Sequence, residues 1–453
     1  MDFGSLYAAC ARFGEDLAHA RGGQGALLVE APGQPETLVA LLAGFWAGRS
    51  VLPVAPQTPH SELAGLVERV GAESAIGSPA FLEGLPAKLR ERIPAAEIPI
   101  SSARAVADTS RPRATASLLL QSSGTGGPPK IVRRSGEALG VVGSNVAQAL
   151  SLCEKDVFLL SIPLYHSYAM DMFSAALVAG CALEIHEGFV SARVRKALRE
   201  AEISVWPAVP VMLDALSRGQ SPEAPASALR HVISAGSPLP RRVYDQFEAS
   251  HGIRVAQLYG ASEFGSITCG NPASPGFDPA SVGRPFAGVD VRVDPAGGEG
   301  EVLVAARSMM AEYLGEPPPL DGRAFLRTGD LGRLDEDGSL TLTGRIKLLI
   351  DVGGQKVNPL EVEQVLEEHP EVSEAVVVVV PWSDTSDRHR AVIIPEKSCS
   401  PDVGELRRFA QRHLSAYKVP RSFRVRHELP RSATGKVLRG QLQELERAPE
   451  EGS

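Results

Sequence analysis

Short apolar runs alternating with amphipathic stretches constrain this chain more than any other feature. Residues 25–30 read as a strand, 36–46 as a helix and 51–54 as the next strand. The rhythm returns with a strand at 231–234, an amphipathic helix at 240–250 and a strand at 254–258. Crossovers this short, built around one helix, join parallel strands, so the pattern predicts sheets covered by helices. The run 375–380 is apolar at every position. A strand buried on both faces has that character.

From Gly298 onward the chain turns β-rich, with strands expected at 301–305, 331–334 and 339–343, the last two joined through Asp337-Gly338. After Lys347 come a helix at 359–369, the valine strand, a helix at 403–415 and a basic tail. The expected fold is therefore α/β. A large N-terminal domain (1–346) holds parallel or mixed sheets under helices plus a β-rich subdomain, and a small α+β C-terminal cap (347–453) follows.

Composition removes several functions. Of 453 residues 43% are hydrophobic, enough for a large core, and the net charge is -8. An acidic balance opposes nucleic-acid binding, which needs a basic face against phosphates. Cys10, Cys153, Cys181, Cys269 and Cys399 stand singly with no CxxC pair, which disfavours zinc and redox motifs and reads as single buried thiols in a reducing compartment. The N-terminus lacks a basic region followed by an apolar core. The longest apolar stretches fall short of the ~20 residues of a membrane span. These features predict a cytoplasmic protein with neither a membrane nor a nucleic-acid partner.

The chemistry begins where Leu118-Leu119-Leu120 runs into Gln121-Ser122-Ser123-Gly124-Thr125-Gly126-Gly127-Pro128-Pro129-Lys130. A buried strand empties into glycines and hydroxyls and ends on a cation. Backbone N–H groups of such a loop can cradle anionic oxygens, with Ser and Thr adding donors. A P-loop NTPase requires Gly before the lysine and Ser or Thr after it. Pro129 and Ile131 occupy those positions, so that reading fails.

The stretch instead resembles the phosphate loop of the adenylate-forming superfamily of acyl-CoA synthetases, peptide-synthetase adenylation domains and luciferases. Ser122, Ser123, Gly124, Thr125, Gly127 and Lys130 take its positions, and Gly126 replaces a usual hydroxyl residue. Further stretches match in order. Tyr259-Gly260-Ala261-Ser262-Glu263 resembles the motif whose aromatic ring lies along adenine and whose glutamate holds Mg²⁺, a fitting partner for a hard cation. Arg327-Thr328-Gly329-Asp330 resembles the motif whose carboxylate accepts the ribose hydroxyls. Gly344-Arg345-Ile346-Lys347 resembles the family's hinge segment, with Arg345 toward the ribose and Lys347 at the hinge. Gly353-Gly354 resembles the acceptor-facing glycine turn, while Asp351 stands where a lysine is common. Leu429 to Arg439 carries Pro-x-x-x-x-Gly-Lys-x-x-Arg, whose lysine, Lys436, would bridge carboxylate and α-phosphate.

The resemblance implies a mobile cap and two half-reactions, acyl-AMP formation followed by transfer to a thiol, with ATP, Mg²⁺ and CoA or a carrier protein's phosphopantetheine. Lys436, His166 and Glu263 would be the catalytic residues. Pro163-Leu164-Tyr165-His166-Ser167-Tyr168 resembles the Pro-x-x-His segment of acyl- and aryl-CoA ligases. His166 would then gate the acyl carboxylate. The amino-acid-activating branch places an acid where Ser167 stands, and serine cannot pair with a substrate ammonium. Ser167, Tyr168, Ala235, Gly236 and Ser237 would line the pocket, which suits a flat aryl or aryl-propenoic acid. The N-terminal part is shorter than usual before the phosphate loop, and no carrier segment follows Arg439, so an external thiol is expected. The alternatives are transfer to an amine or hydroxyl, oxidation of the adenylate, and a non-catalytic nucleotide-binding relative.

Overall fold

The computed structural model describes residues 1–19, 25–87, 89, 91–98, 116–122, 130–218, 228–352, 355–383, 386–432 and 435–447. Ala26–Glu30 is an inner strand of a seven-stranded sheet, beside its central strand Ser50–Val54. It pairs in parallel with Ser50–Val54 on one side and Ala72–Gly77 on the other. Leu27, Leu28 and Val29 are buried, as a strand covered on both faces requires. Ser117–Gln121 extends the sheet in parallel, and Ile131–Ser135 and Glu312–Tyr313 close that edge antiparallel. Helix Pro35–Trp46 makes the crossover from Ala26–Glu30 to Ser50–Val54 and opens with proline in its first turn, where a missing N–H costs nothing.

A second seven-stranded sheet is parallel through Ala182–Ile185, Val157–Leu160, Val205–Ala208, His231–Ser234 and Val255–Ala261. Gly265–Cys269 and Arg284–Pro285 end it antiparallel. Helices Gly136–Ala149 and Ser167–Ala179 pack on each other, and one apolar core runs from Leu27 and Leu118 on the first sheet to Trp206, Phe247 and Ile267 around the second. Fully burying one such large side chain is worth about 1.5–3 kcal/mol before entropy is charged against it. A buried ion pair crosses this core. Arg134 Nη1 lies 2.9 Å from Asp171 Oδ1, and Asp171 Oδ2 accepts from both the amide and the hydroxyl of Ser266.

The β-rich part is an antiparallel sheet of Val289–Asp294, Gly300–Ala306, Leu326–Leu334 and Leu340–Arg345. Its third strand begins at Leu326 rather than at 331. Pairing of Arg327 and Leu326 with Leu303 and Val304 holds the extra residues extended, and Asp330 thereby lies within the strand.

Beyond it, Ile350–Val352 and Gln355–Val357 form a hairpin, and Val372–Ser383, Ser386–Pro395 and Ser422–Val425 form a three-stranded sheet. The valine strand is buried on both sides as expected. Ala375 and Val377 pack with Val362, Leu366 and Leu406, whereas Val376, Val378 and Val380 pack with Leu429 and Leu442. The thiols depart from expectation: Cys10 and Cys181 are buried, but Cys153 is exposed and Cys269 and Cys399 are intermediate. Scattered spacing excludes clusters but does not fix depth.

Candidate nucleotide and acyl site

Strand register assembles the first part of the site. Asp330 and Arg345 are opposite one another in adjacent strands, and Arg345 Nε donates to Asp330 Oδ1 at 2.5 Å. Tyr259 Oη donates to Asp330 Oδ2 at 2.7 Å. Burial, reinforced by the Asp330 charge, lifts the Tyr259 phenol well above its usual range, so it stays a donor. Each carboxylate oxygen retains a second lone pair, which suits a vicinal diol.

At the other end, the Ser122 amide donates to the Lys130 carbonyl at 2.8 Å and closes the base of the glycine loop. Ser123, Gly124, Thr125 and Gly127 of that loop lie outside the described residues, as do Gly353 and Gly354. Lys130 Nζ sits 2.9 Å from Glu316 and 4.5 Å above the Tyr313 ring. Tyr313 Oη donates to Glu263 Oε1 at 3.0 Å. Its phenol is also held up, by burial first and by Glu263 second. Ser262 and Glu263 occupy the turn between Val255–Ala261 and Gly265–Cys269. The hairpin is tight at Gly260, where a Cβ would come within 2.5 Å of the Gly265 carbonyl. Among the described residues no protein group takes Glu263 Oε2, and none forms a cluster of three metal-binding side chains. One carboxylate completed by phosphate oxygens and water fits Mg²⁺, which rarely takes an all-protein cage.

Lys436 comes from the C-terminal part of the chain. Burial and then the Arg345 charge lower its ammonium below the ordinary lysine range, with Asp330 opposing. The lysine thus shares the electrostatic environment of the Asp330–Arg345 pair. Its loop is tight: Gly435, at φ +78°, donates to the Ser432 carbonyl, Ser432 donates to the Lys436 carbonyl, and the Lys436 amide donates to Ser432 Oγ. Arg439, in the same motif, binds Glu363 and the Val377 carbonyl, both in the same C-terminal part of the chain. Lys347 lies in the 3₁₀ turn Ile346–Leu348. Asp351 pairs with Lys356 across the hairpin at 2.9 Å.

His166 precedes helix Ser167–Ala179 as its N-cap. Its buried Nε2 meets no hydrogen-bond partner among the described residues, and burial lowers the imidazole to about 4, so it is neutral at neutral pH. Tyr168 reaches the strand that leads to Ala235, its hydroxyl donating to the Ile233 carbonyl at 3.0 Å. Gly236 turns the chain at φ +88° before Ser237. The start of the helix and the end of the strand therefore lie side by side. The polar atoms are less available than the residue types suggest, because Tyr168 Oη is spent on backbone and Ser167 Oγ lies 3.4 Å from Arg134.

Tyr313, Glu316 and Arg134 were missed from sequence. Strand alternation carried a signal for Arg134: in Arg133-Arg134 one side chain must face inward, and Arg133 instead meets Glu312 at the surface. Tyr313 and Glu316 sit in a strand of two residues and the turn after it, which leave no periodicity to read.

A family model of AMP-binding enzymes matches residues 1–314, and one of the AMP-binding enzyme C-terminal domain matches 361–436. The chain belongs to the AMP-binding enzyme family. This AMP-binding enzyme is 30% identical over 357 residues to a probable CoA ligase of Humulus lupulus, covering 75% of the chain and 68% of that relative. It is 33% identical over 338 residues to sulfoacetate–CoA ligase of Cupriavidus necator, covering 72% and 66%. The chain thus spans about two thirds of the length of the relatives it matches. O-succinylbenzoate CoA synthetase of Bacillus subtilis, solved with ATP and magnesium ion, superposes with a TM-score of 0.81 at 26% identity, covering 96% of this chain and 93% of that one. The enzyme is of the acyl-CoA synthetase type, and ATP, Mg²⁺ and CoA are the cofactors of that family. No helix among the described residues is long and apolar enough to cross a membrane.

Proposed function

We propose that this AMP-binding enzyme activates a small carboxylic acid with ATP to an acyl-AMP and transfers the acyl group to the thiol of CoA. The observation that carries this reading is the Asp330 carboxylate gripped by Tyr259 and Arg345, with Lys436, half-buried, near enough to feel the charges of both Asp330 and Arg345. A lysine within the field of a carboxylate suited to the ribose diol is arranged to neutralise charge at an α-phosphate.

In the first half-reaction a substrate carboxylate oxygen attacks the α-phosphorus, and the bond to the β-phosphate oxygen breaks with its electron pair leaving on pyrophosphate. Charge builds on phosphoryl oxygens, so fixed cations and donors matter more than a general base. Lys436 bridges carboxylate and α-phosphate, Asp330 with Arg345 and Tyr259 fixes the ribose, and Lys130 with the loop of Ser122, Ser123, Gly124, Thr125 and Gly127 holds the pyrophosphate end. Bound Mg²⁺ supplies charge neutralisation at the phosphates, with Glu263 as its protein ligand. Neutral His166 stands beside the acyl carboxylate without adding charge.

In the second half-reaction the cap (347–453) turns about Lys347 relative to the body (1–346), withdrawing Lys436 and presenting Gly353-Gly354. The thiol sulfur attacks the acyl carbon, its proton passes to solvent, and AMP leaves. Ser167, Tyr168, Ala235, Gly236 and Ser237 form the acyl pocket. With the Ser167 and Tyr168 hydroxyls engaged by the protein, the pocket favours a flat aryl or aryl-propenoic acid over a polar one. The phosphopantetheine of a discrete carrier protein is the second candidate acceptor.

The test is pyrophosphate release with benzoic, cinnamic, short-chain and long-chain fatty acids, each with and without CoA. Release driven by an aryl acid, with thioester appearing only when CoA is present, supports the reading. Failure of every acid to drive release refutes it.

A further inference from the structure

Two arginines of the body reach across to the cap, and neither belongs to a motif of the nucleotide site. Arg218 ends helix Pro210–Ser217, and Arg242 lies in the first turn of helix Arg241–His251, which packs on it. One carboxylate, Asp214, orients both: its oxygens lie 2.8 Å from Arg218 Nη2 and 3.4 Å from Arg242 Nη2. Arg242 Nη1 also donates to Gln246 Oε1 of its own helix at 2.9 Å, and the other contacts of the two arginines leave the body. Arg218 Nη2 donates to Ser373 Oγ at 3.3 Å, Arg242 Nη2 donates to the Ser373 carbonyl at 3.2 Å, and Arg242 Nη1 stands 3.6 Å from Glu396.

Ser373 connects to the catalytic loop through the next residue. Glu374 pairs with Arg431, and Arg431 Nη1 donates to the Gly435 carbonyl at 2.9 Å, immediately before Lys436. The same loop meets the body again at Val211, whose Cγ1 lies 2.3 Å from where a Gly435 Cβ would be. A continuous polar path therefore runs from Asp214 through the two arginines, Ser373, Glu374 and Arg431 to the backbone beside Lys436.

We infer that Arg242 and Arg218, held by Asp214, are positioning residues that dock the cap with Lys436 in the site, and so favour adenylation over thiol transfer. The inference rests on the two-half-reaction reading, because a bracket of this kind matters only if the cap must also leave. Its contacts are partly exposed, with Arg242 22% and Glu396 30% accessible, so each is weak enough to be broken and remade in every turnover. On the body side every donor is an arginine side chain, which can let go without unfolding either part.

The test uses the whole chain and needs no acid. An amine-reactive succinimidyl ester is applied to the wild type and to Arg218→Ala/Arg242→Ala, and labelling of Lys436 is read by peptide mass mapping against exposed Lys196. Releasing the cap should raise Lys436 labelling roughly threefold to tenfold, the scale on which partly exposed pairs shift a two-state equilibrium, and leave Lys196 unchanged. Arg242→Lys restored in the Arg218 wild-type background should return labelling toward the original level. Glu396→Gln, altered from the cap side, should raise it less. With an accepted acid, pyrophosphate exchange should fall by a similar factor, and thioester formation from supplied acyl-AMP should not fall. Unchanged Lys436 labelling, or equal loss of both half-reactions, overturns the inference. The underlying reading is judged separately by Lys436→Ala: exchange that survives that change refutes the lysine's role, while the labelling still decides whether the arginines hold the cap.

Discussion

Tyr259 and Asp330 are joined by a 2.7 Å hydrogen bond between the phenol and Oδ2, although seventy-one residues separate them. The aromatic side chain assigned to the adenine thereby also aims the carboxylate assigned to the ribose. Asp330 is fixed from two sides before nucleotide arrives, since Arg345 holds its other oxygen.

Tyr259→Phe should keep the ring and lose the aim. A hydrogen bond to a charged group is worth about 1.5–3 kcal/mol, so the KM for ATP should rise by roughly tenfold or more with a smaller change in kcat. Steady-state pyrophosphate release at varied ATP measures it. An unchanged KM would show that Arg345 alone suffices.

Lys436→Ala should lower adenylation by about 10²–10³, the usual effect of removing one preorganised electrostatic contact. Consumption of supplied acyl-AMP with CoA should persist. Because burial and Arg345 lower the ammonium, adenylation should decline on the alkaline side before an ordinary lysine would lose its proton. A rate-against-pH profile of each half-reaction reads both effects.

Lys347→Pro should impair thioester formation more than adenylation. The residue lies in a 3₁₀ turn, whose φ near −60° is close to that fixed by proline, so the observed arrangement is tolerated while rotation is not. Comparable loss in both half-reactions would move the hinge elsewhere.

Tyr313→Phe should weaken the increment in ATP affinity that Mg²⁺ supplies, because Glu263 loses the donor that orients it. Calorimetric titration of ATP with Mg²⁺ and with EDTA separates the two. The ring beneath Lys130 is retained, so affinity in EDTA should stay the same.

His166 predicts a stability change with a definite sign. Burial lowers its imidazole from 6.5 to about 4, so between those values the unfolded chain binds more protons than the folded one. The contribution is whole above pH 6.5 and is lost as pH falls toward 4, up to about 3 kcal/mol at 1.36 kcal/mol per unit. Glu367 acts in the opposite direction: burial raises it to about 8, and its contribution, present below 4.5, is lost as pH rises through 8. Urea midpoints at pH 5 and 7.5 should show a smaller acid loss in His166→Gln than in the wild type, and Glu367→Gln should resist alkaline loss.

The parallel cores were legible because their apolar runs are short and bounded, as at Leu27 to Val29. The antiparallel edges were not, since Glu312–Tyr313 and Arg284–Pro285 are strands of two residues whose existence depends on the neighbour they pair with. Asp330, Arg345, Glu263 and Lys436 could be picked out by ordered motifs. Their partners could not: Tyr313 reaches Glu263 across fifty residues, and the Arg242 contacts with Ser373 and Glu396 join segments with no common signal in sequence. Residue type also overstated the polarity of the acyl pocket, because a hydroxyl such as that of Tyr168 can be consumed by backbone once the chain folds.

With Lys130 holding the pyrophosphate end as proposed, its contact with Glu316 would make nucleotide binding a substitution. A phosphate that takes the Lys130 ammonium displaces a carboxylate already there, so affinity gained from that charge is smaller than a bare lysine would give. The same carboxylate is tethered within reach when pyrophosphate is ready to depart. It competes for the cation at high local concentration and shortens the residence of the product. Such an arrangement trades some grip on the substrate for an easier departure of the product.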